Sequence, residues 1–221
     1  MHKSSVLKLC VRYVCFFIGL FIIPAGVAFS RRGGLGVSPV SCIPAVLEFV
    51  TPWTMGEITI AMHVLFILLQ IIILRRDYEL VQLLQLPVAF IFGAFTDIAN
   101  SFVDASFPAG GYALCMAYTL AGVVLVGIGV YIEVHAGVVM LAGEGLSSAV
   151  SKASHKDFSR VKVTVDSTLV AIGVVLSLVF LHRLVGVREG TIIAAVCVGS
   201  CVKVIELLVP PLNKFFEYLK K

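Results

Sequence analysis

The stretch GVVMLAGEGLSSAVSK (residues 137–152) interrupts a chain built almost entirely of apolar runs. It places three glycines, one carboxylate and three serines shortly after GVVLVGIGVYIEV (122–134). A loop between membrane helices has no need of Gly-Glu-Gly, and a membrane-crossing helix does not readily tolerate it. The fold depends on whether this stretch crosses, dips into or leaves the membrane.

The surroundings define the class. The chain has 221 residues, 59% of them hydrophobic and 14% charged, with a mean hydropathy of +1.04. Apolar runs at about 9–29, 58–74, 80–99, 112–132, 163–181 and 190–209 approach or exceed the ~20 residues a helix needs to cross a bilayer. The expectation is an all-α polytopic membrane protein, with residues 1–221 forming a single membrane domain. No polar segment is long enough for a soluble catalytic domain. The net charge of +4 is therefore read through topology and gives no signal for nucleic acid. MHKSSVLK at the N-terminus resembles the basic start of a signal peptide. The apolar run behind it is longer than a usual signal core and has an internal counterpart, so it is expected to remain as the first crossing. Six cysteines (Cys10, Cys15, Cys42, Cys115, Cys197, Cys201) lie in apolar stretches as small packing residues and imply no disulfide framework.

The two halves of the chain correspond at an offset of 103. Gly19, Gly26 and Gly34 fall on Gly122, Gly129 and Gly137, Ser38-Pro39 on Leu141-Ala142, and His63 on Asp166. After a shift of three residues, Gly93 falls on Gly199 and Asp97 on Lys203. Each half, about 7–102 and about 110–209, then has the same order: a long glycine-bearing helix, a short broken segment, and two further long helices. The broken segments are GGLGVSPVSCIPAVLEF (33–49) and GVVMLAGEGLSSAVSK (137–152). With about 12–16 helical residues at 1.5 Å each, they fall short of a crossing.

Charge favours re-entry. If both segments return to the side they left, each half has three crossings and the halves are inverted. With the N-terminus inside, Lys3, Lys8, Arg75, Arg76, Lys152, Lys156, Arg160, Lys162, Lys214, Lys220 and Lys221 lie on the cytoplasmic side, against Arg31, Arg32, Arg183 and Arg188 outside. That is the positive-inside sense. The expected architecture is two inverted repeats of three transmembrane helices, each with a short re-entrant segment, in the cytoplasmic membrane with both termini inside. The alternative is eight crossings in two parallel repeats, which weakens the bias by moving Arg75-Arg76 outside. Residues 212–221 form a cytoplasmic amphipathic tail, with Leu212, Phe215, Phe216 and Leu219 on one face as an interfacial anchor.

Irregular backbone at membrane depth persists only where protein buries it or where it lines a cavity. In carriers built from inverted repeats, paired broken elements meet near the midplane and offer helix N-termini to a ligand. Ser38 fits an N-cap and Pro39 a first helical turn. Gly143 and Gly145 let backbone come close around Glu144. The candidate binding residues are thus Ser38, Pro39, His63, Gly143, Glu144, Gly145 and Asp166. Glu144 has two readings, a cavity carboxylate or a plain helix-terminal acid. Asp166 has two as well, a site residue or the i,i+4 partner of Lys162 at the interface. Secondary polar candidates are Asp97, Arg160, Lys162, Glu189, Thr191 and Lys203. Lys203 can also pair with Glu206. Glu133 and His135 are expected at the interface, and Arg31 and Arg32 as solvated helix-end charges. No catalytic constellation, metal-ligand spacing or cofactor motif is present, so the expectation is a non-enzyme without metal or cofactor. The partners expected are the lipid bilayer, a small solute with a coupling ion, and a second copy in a homodimer. The functional expectation is a transporter of a small solute. The alternative is a non-transporting accessory protein that supports export or production of a secreted metabolite.

GLGVSPVSCIPAVL resembles the Ser-Pro stretch that follows the first helix in the YczE/YyaS/YitT-like bacterial integral membrane proteins. The second half resembles their GEGL, their F-x-R-V-K entry, the Asp of the next helix, and G-V-x-E-G-T. The resemblance covers about 19–200. It implies a multi-pass bacterial membrane protein and gives no chemical role to Ser38, Pro39, Gly143, Glu144, Gly145, Arg160, Lys162, Asp166, Glu189, Gly190 or Thr191. The tryptophan often found after Ser-Pro is Val40 here, and the proline often found before GEGL is Ala142.

Overall fold

A computed structural model describes residues 2–220, and side chains from 7 to 219. Lys221 and the side chains of Lys3 and Lys220 lie outside the described residues. The chain is all-helical, with six helices long and apolar enough to cross a membrane. These are α1 (His2–Gly33), α3 (Met55–Leu74), α4 (Gln85–Ser106), α5 (Tyr112–Ala136), α7 (Phe158–Leu181) and α8 (Glu189–Leu208). Between them lie the short α2 (Cys42–Leu47), preceded by a 3-10 turn at Pro39–Ser41, and α6 (Ala142–Ser154); α9 (Pro210–Lys220) follows α8. The protein is a polytopic membrane protein.

The centre is an antiparallel seam of α1 and α5. A Cβ placed on Gly19 would lie 2.9 Å from the Gly129 carbonyl oxygen. One on Gly26 would lie 2.6 Å from that of Gly122, and one on Gly33 2.6 Å from that of Cys115. The numbers rise along α1 as they fall along α5, so the helices run in opposite directions. Helices in lipid gain nothing from excluding water, so small residues that let backbones approach supply the packing. Each helix ends on a left-handed glycine, Gly34 at φ 67° and Gly137 at φ 59°. Glycine adopts this conformation without steric cost.

Contacts recur in exchanged form at the offset of 103. The pair Gly19–Gly129 maps onto Gly122–Gly26, and both are in contact. Gly33–Cys115 maps onto Ala136–Arg12, where the Arg12 guanidinium donates to the Ala136 carbonyl at 2.9 Å. Gln70–Gly145 maps onto Gly173–Cys42, and a Cβ on Gly173 would lie 3.1 Å from the Cys42 Cβ. Val40–Gly143 maps onto itself and is also in contact.

Both broken segments double back. Along α6, Gly143 faces Phe66 and Gly145 faces Gln70 of α3, so α6 returns in the direction of α3. Along α7, Gly173 meets Cys42, and Gly186, beyond the end of α7, meets Ala45 and Val46. The first segment therefore returns in the direction of α7. Its mouth is closed by Arg31 before it and Glu48 after it, paired at 2.8 Å, with Asp104 also 2.8 Å from Arg31. Arg32 donates to the Phe107 carbonyl at 2.8 Å. These arginines are thus spent on cross-helix contacts rather than solvated. The first segment holds nine helical residues (39–47), fewer than expected, because Gly36 at φ 112° and extended Ser38 delay its helix.

Two further boundaries differ from expectation. α4 begins at Gln85 rather than near 80, because 3-10 turns at Arg75–Asp77 and Leu80–Leu84, separated by extended Tyr78 and Glu79, carry the connection. In the tail, Phe216 and Leu219 are buried but Phe215 is 41% exposed, so the four residues do not share one buried face. α9 packs on α1, α5 and α8, and its Asn213 accepts from the Tyr131 hydroxyl and donates to the Glu206 carbonyl at 2.7 Å. It is held by protein as well as presented to an interface.

One asymmetry affects the site. α3 packs along α4, whereas α7 and α8, the corresponding pair in the second half, have no comparable packing.

Candidate functional site

The tips of the two broken segments meet. A Cβ on Gly143 would touch both methyl groups of Val40 at 3.4 Å. Beside this contact lies a cavity of about 330 Å³. Ser38, Pro39, Val40 and Ser41 line it from one tip, and Leu141, Gly143 and Glu144 from the other. α3 contributes His63 and Met62, α4 contributes Phe92, and α7 contributes Lys162 and Asp166. The remaining wall is apolar except for Thr59 of α3: Ile23 and Val27 of α1, Val126 and Val130 of α5, and Ala194 and Val198 of α8 contribute to it. Six of the seven primary sequence candidates thus surround one cavity.

The seventh, Gly145, does not. It faces a buried amide pair, Gln70 and Gln85, bonded to each other at 3.1 and 3.3 Å. Gln70 also donates to the Ala142 carbonyl at 3.2 Å, fixing the start of α6 on α3. A Cβ at 145 would lie 2.7 Å from the Gln70 oxygen, so glycine here makes room for a structural clamp. The signal for the clamp was present as lone amides in LLQIII and LLQLPV, since a buried amide requires a partner.

Glu144 is the third residue of α6, where the helix dipole favours a negative charge. It has no ionic partner within salt-bridge distance among the described residues. α6 lies outside the six crossing helices. Burial pushes the Glu144 carboxyl above the usual carboxylate range; Lys162 pulls it down and Asp166 pushes it further up. Lys162 and Asp166 are paired at 2.6 and 2.7 Å, as their i,i+4 spacing implies, and both face the cavity. His63 is buried between Phe66 and Phe92, with ring centroids 6.4 and 5.3 Å away, and its Nδ1 has no hydrogen-bond partner.

The secondary candidates lie elsewhere. Asp97 accepts from the Thr54 hydroxyl at 2.7 Å and the Gly56 N–H at 2.8 Å, so it holds the capped start of α3 against α4. Arg160 is exposed, 3.6 Å from Asp157. Glu189 pairs with Arg188 at 3.0 Å. Thr191 is buried, and its hydroxyl lies 2.5 Å from where a Cβ on Gly36 would stand. Lys203 is exposed and does not pair with Glu206, which instead lies 3.5 Å from His135. Glu133, expected at an interface, is only 1% exposed, because the closely packed α1–α5 seam encloses it.

Cys42 is buried beneath the first tip, and burial pushes its thiol up to about 12. Among the described residues no three His, Cys, Asp or Glu side chains cluster as metal ligands.

Six helices long and apolar enough to cross a membrane, with the tips of two short segments meeting at a mostly apolar cavity, define the class: a helical polytopic membrane protein with an internal compartment. The chain belongs to DUF6198, a family of unknown function whose model matches residues 10–207. No curated protein matches it, and neither does any solved structure.

Proposed function

We propose that this protein is a carrier for a small solute, acting without covalent chemistry and with its binding site between the two re-entrant tips. The observation that carries this reading is the cavity at which the tips meet, with Glu144 uncompensated on its wall. An ionised carboxylate at membrane depth costs at least ~2.5 kcal/mol by insertion scales, so it persists only with water, a partner or a ligand. Lys162 and Asp166 balance each other. The net charge facing the cavity is then that of Glu144, which selects a solute bearing an amine or other cationic group on a mostly apolar body.

The exchanged contacts of the two halves support an inverted repeat, with a pseudo-twofold axis through Val40–Gly143 and lying in the membrane plane. Such a site can be opened from either face by the same rocking motion. Residues 7–102 and 110–209 are then the two repeats of one domain. The charge asymmetry supports cytoplasmic termini in a bacterial cytoplasmic membrane, in keeping with the YczE/YyaS/YitT-like resemblance. The carrier works as one chain or as a homodimer.

A thermal-shift screen of purified protein against amines, amino acids, nucleobases and cations tests this. A ligand at 100 times its Kd stabilises the protein by about 2.7 kcal/mol. Glu144→Gln keeps the shape and removes the charge, so it should fold normally and lose that stabilisation. A Glu144→Gln protein that responds fully to the same ligand makes Glu144 a helix-terminal acid only, and the carrier site then lies elsewhere.

A further inference from the structure

In the first half α3 and α4 pack along each other, and Gly93 of α4 lies in their contact. A Cβ on Gly93 would stand 2.7 Å from the Gly56 carbonyl oxygen of α3. Asp97, one turn further along α4, pins the start of α3. The corresponding residues of the second half are Gly199 and Lys203 of α8. A Cβ on Gly199 would have nothing within 4 Å, and Lys203 is exposed. α8 packs on α5, and α7 on α2 and α6; the two are the least buried of the six long helices. The seam that closes the first half is therefore open in the second.

This gap leads to the cavity. The Pro39–Ser41 turn of the first tip touches both α7 and α8. Val163 of α7, 66% exposed, and the exposed Ala195 and Gly199 of α8 all belong to the cavity wall. The cavity is thus continuous with the outside of the bundle between these two helices. Gly199 stands at the middle of α8, at the depth of acyl chains rather than water. The rim there is apolar, made by Val163, Ala195, Val198, Gly199 and Val202. A wholly polar solute would shed its hydration on such a rim without compensation. An amphiphile would not, because its tail stays among acyl chains while its head passes to the polar groups of the cavity.

We propose that the gap between α7 and α8 is a lateral portal, through which the solute reaches the cavity from the bilayer. The solute is then an amphiphile. Its cationic head reaches Glu144 at the second tip, and its apolar tail lies between α7 and α8 with its end in lipid. The cavity of about 330 Å³ need hold only the head and the first part of the tail. This deepens the carrier reading and rests on it for the chemistry of the head. The portal itself rests on the packing of α7 and α8 and on the composition of the cavity wall.

The test uses the full chain in lipid nanodiscs, cysteine-free except for Met62→Cys, a buried position of the cavity wall on α3. A maleimide on a dodecyl chain, dissolved in the lipid, should label this cysteine at least tenfold faster than a charged, membrane-impermeant maleimide. Gly199→Trp adds bulk where nothing stands within 4 Å of the new Cβ. It should fold normally and slow the lipid-borne labelling at least tenfold, and Ala195→Phe is a second plug on the same rim. Ile192→Trp, 70% exposed on α8 and outside the cavity wall, should change nothing. Lipid-borne labelling that neither plug slows overturns the portal, as does its absence from the unplugged protein. That absence, together with oxidative cross-linking of Gly199→Cys between two copies, makes the gap a dimer interface instead. In the thermal screen, octylamine should stabilise the protein more than methylamine at equal free concentration, and Gly199→Trp should remove the difference. An equal response to the two amines overturns the amphiphile. No response to any amine, with labelling that the plugs block, retains the portal and overturns the carrier reading together with the chemistry of the head.

Discussion

Gly26→Ala is the most direct probe of the α1–α5 seam. The added Cβ would stand 2.6 Å from the Gly122 carbonyl oxygen and 2.7 Å from the Val126 nitrogen, both backbone atoms that no rotamer change can move. Ordinary contact begins near 3.4 Å, so the helices must part locally by about 0.8 Å. A gap of this size forfeits a quarter to a half of the dispersion energy of the atoms lining it. Overpacking of a tight core costs roughly 1–3 kcal/mol, and Gly26→Ala belongs at the upper end. Gly19→Ala needs a shift of only about 0.5 Å against the 2.9 Å contact with the Gly129 carbonyl, and should cost less. Gly199→Ala has nothing within 4 Å and should be neutral, or gain up to ~1 kcal/mol from helix propensity. Once one substitution has parted the helices, a second at Gly122 meets less resistance, so the Gly26→Ala/Gly122→Ala double variant should cost less than the sum of the singles. Equilibrium unfolding in mixed micelles, read by circular dichroism, gives all five values, that of the Gly122→Ala single included. Equal stability of Gly26→Ala and Gly199→Ala would refute the seam, and strict additivity of the double variant would refute the shared separation.

A cysteine at Ser106 in a cysteine-free background should be labelled by an impermeant reagent only from outside the cell, and one at Ser154 only from inside; reversal at either position rejects the proposed orientation. Cys42, with its thiol pushed up to about 12 from 9.0, should carry a thiolate fraction about a thousandfold smaller than an ordinary thiol; rapid maleimide labelling of native Cys42 near neutral pH would refute its burial. Asp97→Ala should cost roughly 2–3 kcal/mol by removing the Thr54 and Gly56 hydrogen bonds to a charged acceptor, yet leave ligand stabilisation intact; loss of ligand response at unchanged stability would return Asp97 to the site.

The sequence was legible where one residue type has one physical use. Long apolar runs leave a helix no alternative to crossing, and glycines recurring along α1 and α5 are suited to close backbone approach. The Gly-Glu-Gly interruption marked a tip for the same reason: it suits neither lipid nor a solvated loop. Polar residues inside helices were harder, because spacing along one helix does not show what faces it from another. Lys162–Asp166 was readable from its i,i+4 spacing, whereas Lys203 and Glu206 satisfy i,i+3 yet do not pair, since His135 of α5 reaches Glu206 instead. Asp97 was a site candidate because its partners, Thr54 and Gly56, lie more than forty positions away. The position of Glu133 near the end of its run points to an interface. Its burial comes from the close approach of α1 at Gly19, and no pattern within α5 encodes that neighbour.

On the inverted-repeat reading, the cavity is symmetric in backbone and asymmetric in charge. His63 and Asp166 occupy equivalent positions at the offset of 103, as do Ser41 and Glu144. The first half therefore lines the cavity with an imidazole and the hydroxyl residues Ser38, Ser41 and Thr59, and the second with two carboxylates and the lysine that balances one of them. A symmetric site would hold a solute equally well in two opposed orientations. On the proposed carrier reading, this one would fix the cationic end of a solute near the second tip and leave its apolar body against Met62, Phe92 and the first tip. The packing is asymmetric in the same sense, since α3 is braced by α4 while α7, which bears Lys162 and Asp166, has no comparable support from α8. The charged half is thus the loosely held half. On the carrier reading, a motion that exposes the site moves α7, because α7 has no comparable packing on α8 whereas α6 is fixed to α3 by the Gln70 clamp.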